Sequence, residues 1–175
     1  MNAKAAQERR RAIAPWRLTV THARDGLVVA RIGPVCLAIW RKKPIMDLFL
    51  VQRFDLAAAV ASDPGNIAFL CVVESGAEPP DQAVRDASAD MIASFGKDLA
   101  ACACVIEGTG FRAAITRTVL ASMQFVARSA TPTRFFERVP IAAAWLTDVV
   151  APGSESPLGD QVELARKRLD AASLT

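Results

Sequence analysis

Three later strand-like segments, Ile67–Val73, Leu99–Ile106 and Thr133–Glu137, begin at positions 67, 99 and 133, intervals of 32 and 34 residues with a helix in each. That is the length of a strand, a helix and the turns between them, the unit that joins parallel neighbours in a sheet by a right-handed crossover. The first two are continuous apolar runs bounded by turn residues and carry no polar position. Strands covered on both faces have this character. A chain with this spacing is constrained to a sheet with helices packed on it.

The residues before the first run read differently. Residues 17–22 alternate in strand fashion, Asp25-Gly26 is a turn signal and Leu27–Ile32 follows, which predicts a hairpin. Gly33-Pro34 turns the chain again into Val35–Trp40. The start is therefore expected to be an antiparallel meander.

Between the runs the spacing becomes helical. Pro44 suits a first helical turn, and residues 45–61 carry Ile45, Leu48, Phe49, Val51, Leu56 and Val60 against Asp47, Gln52, Arg53 and Asp55. This helix is expected to be mostly buried, ending at Asp63-Pro64-Gly65. Pro79-Pro80-Asp81 opens the next one, with Asp81 as N-cap, and Val84, Ala87, Met91, Ile92 and Phe95 recur along one face until Gly96. A third helix is expected over Phe111–Arg128, with Ile115, Val119, Met123 and Val126 as its inner stripe. Thr133–Glu137 reads as a short last strand, and Pro140 opens a helix through Trp145 and Leu146.

The fold class expected is α/β: one mixed β-sheet with an N-terminal antiparallel meander followed by helix–strand units. Residues 1–14 form a basic flexible arm, 15–150 a single domain, 151–159 a Pro/Gly/Ser linker and 160–175 a C-terminal helix. Asp160 and Glu163 resemble an acidic capping box for that helix, which either packs on the domain or reaches a partner.

At 175 residues, 52% hydrophobic and 22% charged, the chain is neither disordered nor too small for a core. Much of the apolar content is small, since 33 residues are Ala. No apolar run is long enough for a membrane span, and Arg9-Arg10-Arg11 lead into Ala-Ile-Ala-Pro-Trp without the apolar stretch of a secretory signal. A cytoplasmic location is expected. Sixteen Arg to five Lys, with abundant Ala, fit a GC-rich bacterial genome.

Net charge is +3, divided as +8 over residues 1–43 and −5 over the rest. The clusters Arg9-Arg10-Arg11 and Arg41-Lys42-Lys43 can meet nucleic acid or anionic lipid, or stand as a solvated arm and a charged strand end. Sparse aromatics and the lack of Tyr provide no base-stacking platform, and nucleic acid is not expected as a partner. Cys36, Cys71, Cys102 and Cys104 sit in apolar runs and read as buried thiols. Cys-x-Cys with the single, distant His22 does not have zinc spacing, and neither metal nor cofactor is expected.

Ligands of open parallel sheets lie beyond the carboxyl ends of the strands. Two such ends are alike, Val72-Val73-Glu74-Ser75-Gly76 and Val105-Ile106-Glu107-Gly108-Thr109-Gly110. If these strands are neighbours, Glu74 and Glu107 share one end of the sheet. Gly108, Thr109 and Gly110 lead into a helix start whose free N–H groups, with Arg112 nearby, can hold an anion. The same residues equally describe a tight turn with a Thr cap. The segment lacks the Gly-Lys-Ser/Thr ending of a phosphate loop and is not Gly-x-Gly-x-x-Gly, since Ala113 follows. Paired Glu74 and Glu107 can divide acid and base work, or be caps and solvated charges. His22 reads as a surface or sheet-face residue, and no nucleophile set is assembled around it, so no catalytic residue is assigned.

In element order the chain resembles the STAS / SpoIIAA-like fold, which includes the bacterial anti-sigma-factor antagonists. The resemblance covers residues 17–149 and rests on Leu27–Ile32, Ile67–Glu74, Leu99–Gly110, and Arg134-Phe-Phe-Glu-Arg-Val followed by Ala142–Leu146. It implies a non-catalytic regulatory domain that binds a protein partner, or itself, through a sheet edge or helix face. Antagonists of that family carry an Asp-Ser before a Gly at a helix start, where the Ser is phosphorylated. Here Glu74-Ser75-Gly76 is followed by a Pro-rich loop, so the phosphosite is not carried over to Ser75. The alternative is a small-ligand binder or enzyme, with an anionic ligand held around Glu74, Ser75, Glu107, Gly108, Thr109, Gly110 and Arg112.

Overall fold

Asp25 and Gly26 both take positive φ, 56° and 87°, the backbone that turns a two-residue hairpin with the twist of its strands. A computed structural model describes residues 16–108 and 130–172. In it β1 (Leu18–Arg24) and β2 (Leu27–Ile32) pair antiparallel about this turn, Arg24 opposite Leu27. β3 (Val35–Trp40) returns along β2, with Cys36 opposite Arg31.

From β3 onward every pairing is parallel. β4 (Ile67–Val73) lies beside β3, β5 (Leu99–Ile106) beside β4, and β6 (Thr133–Phe136) beside β5. The six strands stand in chain order across one mixed sheet. The register is equally regular: Trp40 pairs with Val73 and Val73 with Ile106, so β3, β4 and β5 end level.

Helices cover both faces. α1 (Met46–Ser62) and α2 (Gln82–Phe95) pack with Leu27, Val29, Ala38, Phe69 and Cys102. α3 (Val139–Val150) and α4 (Leu158–Ala172) pack with Val28, Ala30, Leu37, Leu70 and Ala103. Alternate residues of each central strand thus enter two different cores, which is why those strands are apolar at every position.

The local signals act as their chemistry requires. The Asp81 carboxylate accepts from the Val84 N–H at 3.0 Å and caps α2. Pro140 stands in the first turn of α3, where no N–H is needed. The last helix differs from expectation at its start. It begins at Leu158, inside the expected linker, and the Ser156 hydroxyl accepts from the Leu158 N–H at 3.1 Å. Asp160 is therefore a first-turn acid rather than the cap, because Ser156 and Pro157 start the helix before it.

That helix packs on the domain. Leu158, Val162, Ala165 and Leu169 are fully buried, and the Gln161 side chain accepts from the Leu18 N–H of β1 at 3.1 Å. Burial of each large aliphatic group stabilises the fold by about 1.5–3 kcal/mol.

A second correction concerns α1. Phe49, Gln52, Leu56, Ala59 and Val60 are buried, but Leu50, Val51 and Phe54 are exposed, Phe54 at 78%. Only one side of the helix meets the sheet, and its apolar residues continue round to the other. The expected arm over 1–14 and the expected helix over 111–128 lie outside the described residues.

Candidate functional site

Because β3, β4 and β5 are parallel and in register, the residues that follow them come together. Glu74 N–H donates to Trp40 C=O and Glu107 N–H to Val73 C=O, both at 2.9 Å, continuing the ladders past the strands. Arg41, Glu74 and Glu107 therefore stand side by side at one end of the sheet. The two glutamates share an end as their sequences suggest, and parallel pairing of β3 brings Arg41 to the same end.

Two arginines occupy this row. Arg41 Nε donates to Glu74 Oε2 at 2.7 Å, and its Nη1 donates to Asp170 Oδ1 of α4 at 2.5 Å. Arg166, also from α4, donates from Nη2 to Glu107 Oε1 at 2.7 Å. Its buried Nε makes no hydrogen bond and lies 3.6 Å from both Glu74 Oε1 and Glu163 Oε1. The result is a connected network, Asp170–Arg41–Glu74–Arg166–Glu107.

The network fixes the charge of its cations. The hydrogen bond to Glu74 holds the Arg41 guanidinium above its ordinary value, with burial opposing. Burial is the largest single influence on Arg166 and works against its charge, but the hydrogen bond to Glu107 and the charges of Glu107, Glu163 and Glu74 together outweigh it and hold the guanidinium above its ordinary value. Charge-assisted pairs of this kind are short and directional, and at partly buried positions they hold elements in place.

Each of the expected site residues has a definite place or lies outside the described residues. Glu74 and Glu107 are half-buried and ion-paired. Ser75 is exposed on the turn closed by Ala77 N–H to Glu74 C=O at 2.9 Å. Gly108 is exposed with φ 104°. Thr109, Gly110 and Arg112 lie outside the described residues. Sequence reading missed Arg166 and Asp170, which enter from a helix remote in sequence; their only signal is their place on its charged face.

An incoming anion at this row has to compete with Glu74 and Glu107 for the two guanidiniums. The observed arrangement ties α4 to the ends of β3, β4 and β5. Among the described residues no group of three or more His, Cys, Asp or Glu is placed to hold a metal ion, and no helix is long and apolar enough to cross a membrane.

Two apolar features lie elsewhere. A cavity of about 170 Å³ opens between α2 and the sheet, lined by Trp40, Phe69, Met91 and the thiols of Cys71, Cys102 and Cys104 among others. On its wall Trp40 Nε1 donates to Gln52 Oε1 at 2.8 Å, and the Ser88 hydroxyl donates to Val84 C=O at 2.7 Å. Burial pushes the Cys102 thiol up, and a hydrogen bond with Cys71 together with burial does the same for Cys104, so both stay protonated. Protonated thiols are poor nucleophiles and poor metal ligands.

The second feature is the outer side of α1. Phe54 projects from its middle, with Leu50 and Ala58 one turn either way and Val51 beside them, all exposed. Asp47 is the one charge on that side. No family model, curated protein or solved structure matches the chain.

Proposed function

We propose that this chain is a non-catalytic regulatory or protein-interaction domain of SpoIIAA-like type, and that α1 is the face it presents. The observation that carries the reading is the apolar stripe around Phe54, exposed at 78% on a helix whose opposite side is fully engaged by the sheet. Large apolar side chains clustered in solvent mark association surfaces in folded proteins. An aromatic at the centre of such a patch is the usual anchor of an interface. Unlike the strand-end row, where arginines and glutamates already satisfy one another, this face has no partner among the described residues.

The test compares the wild-type chain with Phe54→Asp and Glu107→Gln in assays of complex formation and of turnover against a metabolite library. Complexes lost on Phe54→Asp and kept on Glu107→Gln are the expected result. Turnover by the wild type that disappears on Glu107→Gln would overturn the reading in favour of an enzyme at the strand ends.

A further inference from the structure

Trp40 on β3 and Gln52 on α1 meet at the wall of the cavity between α2 and the sheet, and their contact sets which way the amide faces. An indole N–H can only donate, so the Gln52 atom 2.8 Å from it is the carbonyl oxygen, Oε1. The other end of the amide, Nε2, carries two N–H donors and makes no hydrogen bond with any described residue. It is not sealed inside the protein either. Gln52 is only 4% exposed and lines the cavity, so the space that Nε2 reaches is the cavity. A donor withdrawn from bulk water is costly to leave without an acceptor.

The remaining wall is uncharged. Phe49, Phe69 and Met91 supply much of its apolar surface, and among the described residues no Asp, Glu, Lys, Arg or His lines it. The hydroxyls of Ser88, Thr131 and Thr133 all donate to backbone carbonyls. Protein interiors hold few voids larger than a water molecule. At about 170 Å³ this one has the size that admits a benzene ring.

We infer that the cavity is a binding site for a compact, uncharged molecule with an apolar body and one oxygen acceptor, of the class of small cyclic ketones, whose oxygen accepts from Gln52 Nε2. The size follows from the volume, the neutrality from the wall and the acceptor from the amide. A carboxylate would also accept from Nε2, but its charge meets no cation there. A hydrocarbon of the same shape fills the apolar walls and leaves the donor without an acceptor. The site goes beyond the reading of α1 as a docking face and does not depend on it: Gln52 lies on the buried side of that helix and Phe54 on the exposed side.

Two probes of equal shape test this. Cyclohexanone and methylenecyclohexane differ in C=O against C=CH₂. Each is titrated into the full, isotope-labelled chain up to its solubility limit and followed by NMR, with the Gln52 side-chain amide and Trp40 indole signals as reporters. Both probes are expected to bind, the ketone about tenfold tighter, the worth of one hydrogen bond to a buried donor. Only the ketone is expected to move the Gln52 amide protons downfield. Gln52→Leu is expected to abolish the preference and still bind methylenecyclohexane, which a merely unfolded variant does not do. Ala89→Leu extends a side chain on the cavity wall and keeps Gln52; it is expected to weaken both probes at least about tenfold. Phe54→Asp is expected to bind both like the wild type.

Failure of both probes to bind overturns the proposal. So do equal affinities in the wild type, a ketone preference that survives Gln52→Leu, or binding that Ala89→Leu leaves unchanged. If Gln52→Leu does not hold its fold, the wild-type amide signals decide: unmoved at saturating cyclohexanone, they overturn it.

Discussion

Arg166 donates to Glu107 at 2.7 Å across the carboxyl end of β5, and through this contact the last helix of the chain closes over the row of strand ends. Its side chain and those of Glu74 and Glu107 are 21%, 14% and 24% exposed, so the charges are partly withdrawn from water. Arg166→Met leaves Glu107 without this guanidinium and Glu74 with Arg41 alone. The expected cost is about 1–3 kcal/mol, the range for stranding a partly buried polar partner. For a chain of this size that lowers Tm by about 2–4 °C per kcal/mol. Arg166→Lys recovers only part, because an ammonium on a flexible stem does not reproduce the planar fork. Thermal unfolding of the three proteins checks this, and an Arg166→Met curve superimposed on the wild type would show that the network contributes nothing.

The two sides of α1 predict opposite responses to the same truncation. Phe49 is 1% exposed and Phe54 78%, five residues apart on one helix. Phe49→Ala empties a site in the core and is expected to cost about 3–5 kcal/mol. Phe54→Ala removes a ring already in water and is expected to change monomer stability by no more than about 0.5 kcal/mol. Urea unfolding at a concentration too low for association measures both. Comparable losses from the two variants would mean that α1 is covered on both sides within the monomer.

How far the sequence carried this picture depends on the range of the forces involved. The strands β2 to β5 were legible as apolar runs between turn residues, and the near-equal spacing of β4, β5 and β6 implied parallel order among them, while the side on which β3 and Arg41 end was left open by that spacing. The shared end of Glu74 and Glu107 followed from that order alone. Arg166 was not legible: it meets a glutamate 59 residues away, and Asp170 meets Arg41 across 129 residues. Nothing local in α4 distinguishes a charge that docks from one that is solvated. The exposed side of α1 was hidden for another reason. Its apolar residues run all the way round, so periodicity gives no inner face, and the helix reads as buried when the sheet covers one side only. Ser156 was overlooked as the start of α4 because the acidic pair Asp160 and Glu163 offered a more familiar pattern.

Trp40 and Gln52, both buried, form a hydrogen bond between their side chains at 2.8 Å beside the cavity. Gln52→Leu keeps much of the volume and leaves the indole N–H without an acceptor in apolar surroundings. The expected cost is about 1–3 kcal/mol, with a shift in Trp40 fluorescence because the indole loses its polar neighbour. Chemical denaturation followed by fluorescence reads both at once. A stable variant with unchanged emission would indicate that another group, or water, reaches the indole.

Three thiols give the fold a dependence on alkaline pH whose sign can be worked out. A thiol in the unfolded chain ionises near 9.0, whereas burial, with Asp55 adding and Arg31 opposing, pushes Cys36 up to about 12. Burial raises Cys102, and the hydrogen bond with Cys71 together with burial raises Cys104. Below 9.0 these thiols hold their protons in both states and contribute no slope. Above it the unfolded chain releases protons that the folded chain keeps. Stability therefore falls as pH rises, by about 1.4 kcal/mol per pH unit for each such thiol, until the folded thiols ionise in turn. Urea midpoints at pH 8, 9 and 10 are expected to decline over the last interval, and the decline is expected to be shallower in Cys36→Ala, which isolates the thiol from other alkaline groups. Equal slopes for the variant and the wild type would mean that Cys36 ionises as readily in the folded protein as in the unfolded chain, and the buried environment assigned to it on β3 would be wrong.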